Sequence, residues 1–220
     1  MDNWFDSLLA ALREGRPVVI LDDLEREGEA DLVLHAKFAT PANIGLMRKE
    51  AGGLICLATS GETAERLGVG FAVDLLNASG NEVLSALAID KTPYGDSPAF
   101  SVWINSRKTY TGITDNDRSL TITEFEKMVK TDAKNMQAEF TKSFYAPGHV
   151  PLLVSRSLKK RGGHTELAIA LAAAAGLTPA MVVCEMLADN GKAMGWKEAK
   201  ELAARRGWFA TDGPELKKKL

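Results

Sequence analysis

The sequence is poor in several features that would place it in other classes of protein. It has only two cysteines, Cys56 and Cys184. Both lie inside apolar runs, which favours buried thiols in a reducing compartment over a disulfide framework. No apolar run approaches the ~20 residues that a membrane-spanning helix needs. The first residues, with Asp6 and Glu14, lack the basic start of a signal peptide. These absences predict a cytoplasmic protein with no membrane partner.

Positive charge is not in excess either. The 27 Lys and Arg residues are balanced by 29 Asp and Glu residues, and the net charge is −2. Nucleic acids attract proteins through a basic surface, so no nucleic-acid partner is expected. The terminal run Lys217-Lys218-Lys219 is interpreted as a solubilising end and not as a binding patch.

Helical and strand-like patterns alternate along the chain, with no internal repeat or low-complexity linker between them. The pattern predicts a single domain, 1–220, with an α/β (α+β) fold: a three-layer sandwich with a mixed twisted sheet. Residues 69–98 have weak periodicity and are expected to form a long, partly irregular excursion. Thr121 and Glu124 predict a capping box that starts a helix after a polar loop at 111–118. Predicted helices cover 4–14, 41–51, 62–67 and 196–205, and predicted strands cover 18–22, 31–36, 54–59, 99–105, 152–155 and 181–187.

The stretch Arg161-Gly162-Gly163-His164-Thr165 precedes a run with helical spacing that ends at Ala175. Its two glycines allow the backbone to approach a ligand closely. A helix that opens at Thr165 presents free N–H groups to an oxyanion such as phosphate, and Arg161 adds a fork of donors. His164 lies within this anion site. A turn that merely connects two elements is the alternative interpretation.

Residues 22–31 hold six carboxylates around one arginine. Four of these carboxylates share one parity and would share one face of an extended chain. They are Glu25, Glu27, Glu29 and Asp31. Crowded carboxylates repel one another unless a cation is present, and an oxygen-rich cluster with a nearby imidazole suits Mg²⁺ or Mn²⁺ better than zinc. A solvated acidic turn is the alternative. Together with the anion site, the cluster predicts a metal that bridges the protein and a phosphorylated small molecule.

Three further residues have two interpretations each. Glu185 lies inside the apolar run 181–187, where a carboxylate must be paired, protonated or functional, so a structural ion pair and a catalytic role are both open. His149 follows Gly148 in a turn-like setting, which is typical of a surface histidine. His35 lies on an apolar strand and is interpreted as a structural side chain.

Several motifs, in their order and spacing over nearly the whole chain, resemble the family of 3,4-dihydroxy-2-butanone 4-phosphate synthases of riboflavin biosynthesis. The motifs are Arg26-Glu27-Gly28-Glu29-Ala30-Asp31, Thr111-Gly112 before Asp117-Arg118, Gly148-His149-Val150, Arg161-Gly162-Gly163-His164-Thr165 and Cys184-Glu185. The chain is similar to the stand-alone archaeal type, so a fused GTP cyclohydrolase II domain is not expected. Asn105 stands where many relatives carry Asp, and the resemblance assigns it no role.

The resemblance implies conversion of D-ribulose 5-phosphate into L-3,4-dihydroxy-2-butanone 4-phosphate and formate. The implied chemistry is metal-assisted enolisation, skeletal rearrangement and excision of C4, with two Mg²⁺ (or Mn²⁺) ions per site. A YrdC-like fold and a homodimer with sites near the interface are implied as well.

The resemblance also implies roles for single residues. Glu27 and His164 would bind the metal, and His149, Glu185 and Asp31 would be catalytic. Which of these three takes the first proton is open. The implied substrate-binding residues are Arg26, Glu27, Asp31, Arg161, Gly162, Gly163, His164, Thr165 and Glu185.

Two other functions make different predictions. A YrdC-like enzyme that binds nucleotide and RNA would need a basic cleft, which the composition does not supply. A non-catalytic module that binds sugar phosphates would keep the motif at 161–165, but it would have no reason to keep Glu27, Asp31 and Glu185.

Overall fold

A computed structural model describes residues 4–132 and 134–220. The strands are β1 (Val18–Leu21), β2 (Ala30–His35), β3 (Cys56–Ser60), β4 (Phe100–Ser106), β5 (Phe144–Ser155), β6 (Ala180–Glu185) and β7 (Phe209–Asp212). The helices are α1 (Trp4–Arg13), α2 (Pro41–Glu50), α3 (Gly61–Leu67), α4 (Ala72–Ala78), α5 (Glu82–Leu87), α6 (Asp115–Thr131), α7 (Met136–Ser143), α8 (His164–Ala174), α9 (Trp196–Arg206) and α10 (Gly213–Lys217). None of these helices combines the length and apolar character that crossing a membrane requires.

The seven strands form one mixed sheet in the order β4-β5-β3-β6-β2-β1-β7. The pairs β3/β5 and β1/β7 are parallel, and the other neighbours are antiparallel. Each face of the sheet carries its own buried core. Helix α6 packs on one face with Phe125, and helices α8 and α1 pack on the other with Leu171 and Leu8. Because helices cover both faces, the predicted three-layer sandwich with a mixed sheet is confirmed.

The prediction that a capping box begins a helix at Thr121 is wrong. Helix α6 begins six residues earlier, at Asp115, because the Thr114 hydroxyl accepts the backbone N–H of Asp117 and caps the helix there. Thr121 is buried at the end of the second turn, where its hydroxyl accepts the backbone N–H of Ser106 on β4. The polar loop predicted at 111–118 is therefore shorter than expected.

Two other predicted boundaries also differ from the structure. The excursion at 69–98 contains α4 and α5, whose short length and lack of buried side chains explain their weak periodicity. Strand β5 runs from Phe144 to Ser155, so the strand predicted at 152–155 is only its end. His149 consequently lies within a strand and not in a turn.

His35 is fully enclosed, with 1% of its surface exposed. Its Nδ1 accepts the backbone N–H of Lys37 (3.3 Å), and its Nε2 donates to the carbonyl oxygen of Thr178 (2.9 Å). Burial lowers the pKa of the imidazole. The backbone N–H can only donate and the carbonyl oxygen can only accept, so His35 is a neutral Nε2–H tautomer. Its role in the core is structural.

The middle strand of the sheet, β6, and its neighbour β2 bring two carboxylates together at one end of the sheet. In the antiparallel pair β2/β6, Asp31 and Glu185 are direct partners, so their side chains lie on the same face. It is the face that α8 covers, since Val33 and Val183 of the same strands belong to the core beneath that helix. The beginning of α8, at His164, completes this end of the sheet.

Candidate active site

The acidic segment between β1 and β2 is folded around one buried carboxylate. Asp22 has no exposed surface, and its two oxygens accept the backbone N–H groups of Glu27 and Glu29 (3.2 Å each). Arg26 Nη1 donates to the same carboxylate at 2.7 Å. These bonds turn the chain back on itself before β2, with Gly28 in the left-handed region at φ +66°. The segment is therefore a compact turn.

The turn modifies the prediction that four carboxylates share one face. Glu25 is exposed to solvent, because the alternation of an extended strand does not hold through the turn. Glu27, Glu29 and Asp31 do meet, and all three line one cavity with Glu185. The cavity has a volume of about 570 Å³. Its other lining residues are Ile89, Thr92, Tyr94, Pro98, Ala99, Phe100, Leu153, Arg161, His164, Thr165 and Val183.

His164 turns one ring nitrogen towards these carboxylates. Its Nε2 lies 3.0 Å from the carbonyl oxygen of Glu29, which can only accept, so Nε2 carries a proton. Its Nδ1 lies 3.7 Å from a Glu27 oxygen and 3.6 Å from a carboxylate oxygen of Asp31. This arrangement, in which the far nitrogen is fixed by a carbonyl, is typical of a histidine that ligates a metal.

The pKa values at this point of the cavity reflect burial and mutual charge. Burial alone would lower the pKa of His164, but Asp31, Glu27 and Asp22 outweigh it and raise the pKa to about 9. For Asp31 burial is the largest effect, and it raises the carboxyl pKa to about 7. Burial acts on Glu27 in the same direction, yet hydrogen bonds from His164 and Tyr94 overcome it and lower the pKa to about 2. Two adjacent carboxyl groups thus have very different proton affinities.

The donor atoms fit a hard divalent cation. Oxygens of Asp22 and Glu27 and a nitrogen of His164 all lie within 4.8 Å of one another. One oxygen of Asp31, beside them, is buried without a hydrogen-bond partner in the described residues. Three carboxylates with a single imidazole match the ligands of Mg²⁺ or Mn²⁺. Asp22 was not among the predicted ligands, and its bonds to the turn also give it a structural task.

The predicted anion site lies at the same end of the cavity. Helix α8 begins at His164, one residue before the predicted start, and Gly163 at its N-cap forms no side-chain capping bond. No capping side chain thus occupies the first N–H groups of α8, which are suited to bind an anionic ligand. A Cβ atom on Gly163 would lie 2.7 Å from Arg161 Nη1 and 2.9 Å from Arg26 Nη2. Glycine is thus required for both guanidinium groups to approach the helix end.

Both arginines are held by carboxylates and still have unused donors. Arg161 Nη1 bonds to the buried Glu166 at 2.5 Å. Arg26 Nε bonds to Asp96 at 2.5 Å, and Asp96 lies 3.8 Å from Arg161 Nε. Arg26 Nη2 and Arg161 Nε are buried without a hydrogen-bond partner in the part of the chain that the structure describes. These two donors point to an anion as the missing partner.

Sequence reasoning missed several residues around this site. Asp96 and Tyr94 come from the excursion at 69–98, and the Tyr94 ring lies 4.8 Å from the guanidinium carbon of Arg26. Lys217, interpreted as part of a solubilising tail, belongs to α10 and extends its ammonium group to Gly162. Glu166 is polar in a run whose helical spacing indicated only a buried face. Only Glu166 gave a signal, since a carboxylate in a buried helix needs a partner.

His149 is the one predicted catalytic residue that does not line the cavity. It is exposed on β5, where it contacts Asn105 of β4. In the sheet order, β5 is separated from β6 by β3, so at a strand spacing of ~4.8 Å the two strands lie about 10 Å apart. His149 therefore lies on the same sheet as Asp31 and Glu185 but outside their cluster.

Comparisons with known proteins agree with one another. The sequence profile of the 3,4-dihydroxy-2-butanone 4-phosphate synthase family matches residues 6–218. The chain is similar to the 3,4-dihydroxy-2-butanone 4-phosphate synthase of Methanothermobacter thermautotrophicus, with 41% identity over 94% of this chain and 92% of that protein.

Among solved structures, the fold is similar to the same enzyme of Candida albicans, with a TM-score of 0.75, 26% identity, and coverage of 97% of this chain and 95% of that one. It is also similar to such a synthase solved in complex with two magnesium ions, with a TM-score of 0.76 and 25% identity. Coverage in that case is 96% of this chain and 93% of that one.

Proposed function

Since the chain belongs to the 3,4-dihydroxy-2-butanone 4-phosphate synthase family, we propose that its cavity converts D-ribulose 5-phosphate into L-3,4-dihydroxy-2-butanone 4-phosphate and formate. Members of this family are lyases of riboflavin biosynthesis, and the groups gathered in the site suit such a reaction. The observation that carries it is the meeting of a carboxylate–imidazole cluster with the anion site inside one cavity. A nucleotide-binding enzyme would need basic walls, whereas this cavity is lined by four carboxylates. A module that only binds sugar phosphates would not need them.

We infer that Glu27 and His164 bind a divalent cation, Mg²⁺ or Mn²⁺, and that the site accommodates two ions. Support comes from the donor set, from the unpartnered oxygen of Asp31 and from the relative solved with two magnesium ions. Held by these residues, such a cation would supply positive charge that stabilises the negative charge created by enolisation. The carboxylates that raise the pKa of His164, and so hold a proton on its Nδ1, would hold a cation in that proton's place.

The phosphate of the substrate fits the end of α8. There it would meet the free N–H groups from Gly163 to Thr165 and the unpaired donors of Arg161 and Arg26. The metal cluster adjoins this helix end through His164. A five-carbon sugar phosphate could therefore place its phosphate at the helix and its carbonyl end at the carboxylates.

Loss of the Arg161 guanidinium is expected to weaken binding of ribulose 5-phosphate by about 1.5–3 kcal/mol, the usual contribution of a charge-assisted hydrogen bond. Arg161 also neutralises the buried Glu166, so the comparison is made between Glu166→Gln and Glu166→Gln with Arg161→Ala. Calorimetry in metal-free buffer, where turnover is prevented, gives the two affinities. Equal affinities would place the phosphate elsewhere.

We assign proton transfer to two carboxyl groups, Asp31 and Glu185, whose environments differ. Asp31, with a pKa of about 7, can hold a proton or release it at neutral pH. Glu185 lies opposite it in the sheet and accepts the backbone N–H of Leu54 at 2.8 Å. Enolisation, loss of water and release of C4 each move a proton, and these two carboxyl groups face the space in which the substrate would lie.

We further infer that a second copy of the chain brings His149 to the cavity, so that the enzyme is a homodimer. His149 is separated from the cluster of its own chain but is exposed. On the neighbouring strand β4, the aromatic rings of Phe100 and Trp103 are stacked 6.5 Å apart while 36% and 42% exposed. An exposed apolar surface beside an unused catalytic residue is typical of a subunit interface.

Mixing two inactive variants tests this dimer. With sites shared between subunits, equal amounts of Glu27→Gln and His149→Asn protein, unfolded and refolded together, are expected to recover about one quarter of the parent activity. Half of the dimers are then mixed, and each has one intact site of two. Each variant refolded alone is the control. No recovery, with dimers present by sedimentation, would place both residues in one subunit.

The reaction itself is tested with ribulose 5-phosphate labelled with ¹³C at C4. The label is expected in formate, and label retained in the four-carbon product would contradict the proposal.

A single domain over 1–220 is supported by one sheet that takes strands from Val18 to Asp212. A cytoplasmic location is inferred from the buried free thiols and the soluble substrate.

A further inference from the structure

The amide of Asn105 has an orientation that its partners determine. Asn105 is 1% exposed, and its Oδ1 lies 2.8 Å from the backbone N–H of His149. A backbone N–H can only donate, so this side of the amide must be the oxygen. The amide nitrogen then faces Tyr145 Oη at 2.9 Å and His149 Nδ1 at 3.1 Å.

A donor that faces Nδ1 determines where the proton of the neutral ring lies. The amide nitrogen of Asn105 offers only hydrogens, so Nδ1 of His149 must accept, and the ring proton is then on Nε2. Within residues 4–132 and 134–220, no hydrogen bond reaches Nε2, and the ring is exposed. The free nitrogen of His149 therefore presents a hydrogen and not a lone pair.

We propose that Asn105 is a positioning residue that holds neutral His149 as its Nε2–H tautomer, so that His149 meets a substrate oxygen as a hydrogen-bond donor and not as a base. The tautomer follows from the contacts of Asn105 alone. The role towards substrate rests on the proposed function, in which His149 reaches the cavity of a second subunit. A donor fixed in advance suits an oxygen that gains negative charge during enolisation.

Two glycines hold Asn105 in place. A Cβ atom on Gly112 would overlap the amide nitrogen of Asn105, and one on Gly148 would overlap the backbone of Ile104 and Asn105. Gly112 has a φ of +89°, and its N–H is bound by the Asp117 carboxylate at 2.8 Å. Gly112 thus lets its segment close on the amide of Asn105, and Gly148 lets β5 approach the backbone of Ile104 and Asn105.

An aspartate at position 105 would reverse the arrangement without changing its shape. One carboxylate oxygen would still accept the backbone N–H of His149. The other would replace the amide nitrogen and could only accept, so the ring proton would move to Nδ1 and Nε2 would become the lone pair. The substitution Asn105→Asp therefore separates the tautomer from the packing.

Long-range ¹H–¹⁵N correlation of the imidazole rings measures the tautomer in the full chain. The protein is labelled with ¹⁵N-histidine, and spectra are recorded where the signals no longer change with increasing pH, so that the rings are neutral. The chain has three histidines, and the signals of His149 are identified by their loss in His149→Asn. His35 is an internal reference, because its own partners fix it as an Nε2–H tautomer.

The His149 pattern is expected to match that of His35 in the parent protein. In Asn105→Asp the two nitrogen shifts of His149 should exchange places. Tyr145→Phe keeps the bond between Asn105 and His149 and should leave the pattern unchanged.

A parent spectrum with the proton on Nδ1 would overturn the inference, whatever the activity of any variant. An unchanged pattern in folded Asn105→Asp would also overturn it. Failure of the proposed function gives a different result. If His149→Asn turned over ribulose 5-phosphate at the parent rate, His149 would have no part in the reaction, while the tautomer and its cause would stand.

Discussion

Glu27→Gln is expected to abolish turnover of ribulose 5-phosphate while leaving the protein folded. Glu27 faces His164 Nδ1 at 3.7 Å within the proposed cation site, and a neutral amide removes the charge that balances a divalent ion. Its side chain lies on a turn and contributes little to either core, so the thermal midpoint should change little. Turnover is measured as formate released, with Mg²⁺ in excess, beside circular dichroism melting.

The same prediction can be tested with a chelator and with a matched control variant. EDTA should abolish turnover of the parent protein, and Mg²⁺ or Mn²⁺ should restore it. Glu25→Gln alters the same turn two residues away, but Glu25 is exposed and outside the cavity, so that variant should keep parent activity. Full turnover in metal-free buffer, or equal losses in the two variants, would refute a cation held by Glu27.

Glu185→Gln is expected to slow turnover by roughly 10²–10⁴-fold, the usual range for loss of a general acid or base. The sequence left open a structural ion pair for Glu185. Among the described residues, no basic group forms a salt bridge with it, and its oxygen accepts the backbone N–H of Leu54, a bond that a glutamine can also accept. The variant should therefore fold with a thermal midpoint no lower than that of the parent.

Turnover and melting on the same sample decide between the two roles. Deleting one member of a buried ion pair would cost about 3–5 kcal/mol of stability, whereas a catalytic group can be lost without that penalty. Glu201→Gln, an exposed change on α9, controls for loss of a carboxylate far from the cavity. A Glu185→Gln protein that melts early yet turns over normally when folded would remove Glu185 from the mechanism.

The sequence alone was sufficient to identify several charged residues whose burial would be unfavourable without a partner or a function. Glu27, Asp31 and Glu185 are carboxylates beside apolar strands, and Arg161 and His164 flank glycines before a helix. Each is costly to bury unless it has a partner, so their types and positions already pointed to one polar site. The structure brings all five to the same cavity.

The features that could not be predicted from the sequence depend on contacts between segments far apart in the chain. Asp96 reaches Arg26 from 70 residues away, and weak periodicity around it gave no sign of that contact. The start of α6 was misplaced because Thr114 and Thr121 both have an acidic residue three positions later. Only the bond from Ser106 to the Thr121 hydroxyl shows that Thr121 belongs inside the helix. A local sequence pattern cannot decide which of two such capping residues begins the helix.

The facing pair Asp31 and Glu185 sets the requirements of function against those of folding. Like charges directly opposite on neighbouring strands destabilise a sheet, and here two carboxyl groups face each other across the adjacent strands β2 and β6. Natural selection for robustness alone would replace one of them. If both carboxyl groups act in the proposed reaction, the protein retains a weak point inside its sheet for that chemistry, and a variant that loses one of them is expected to gain stability as it loses activity.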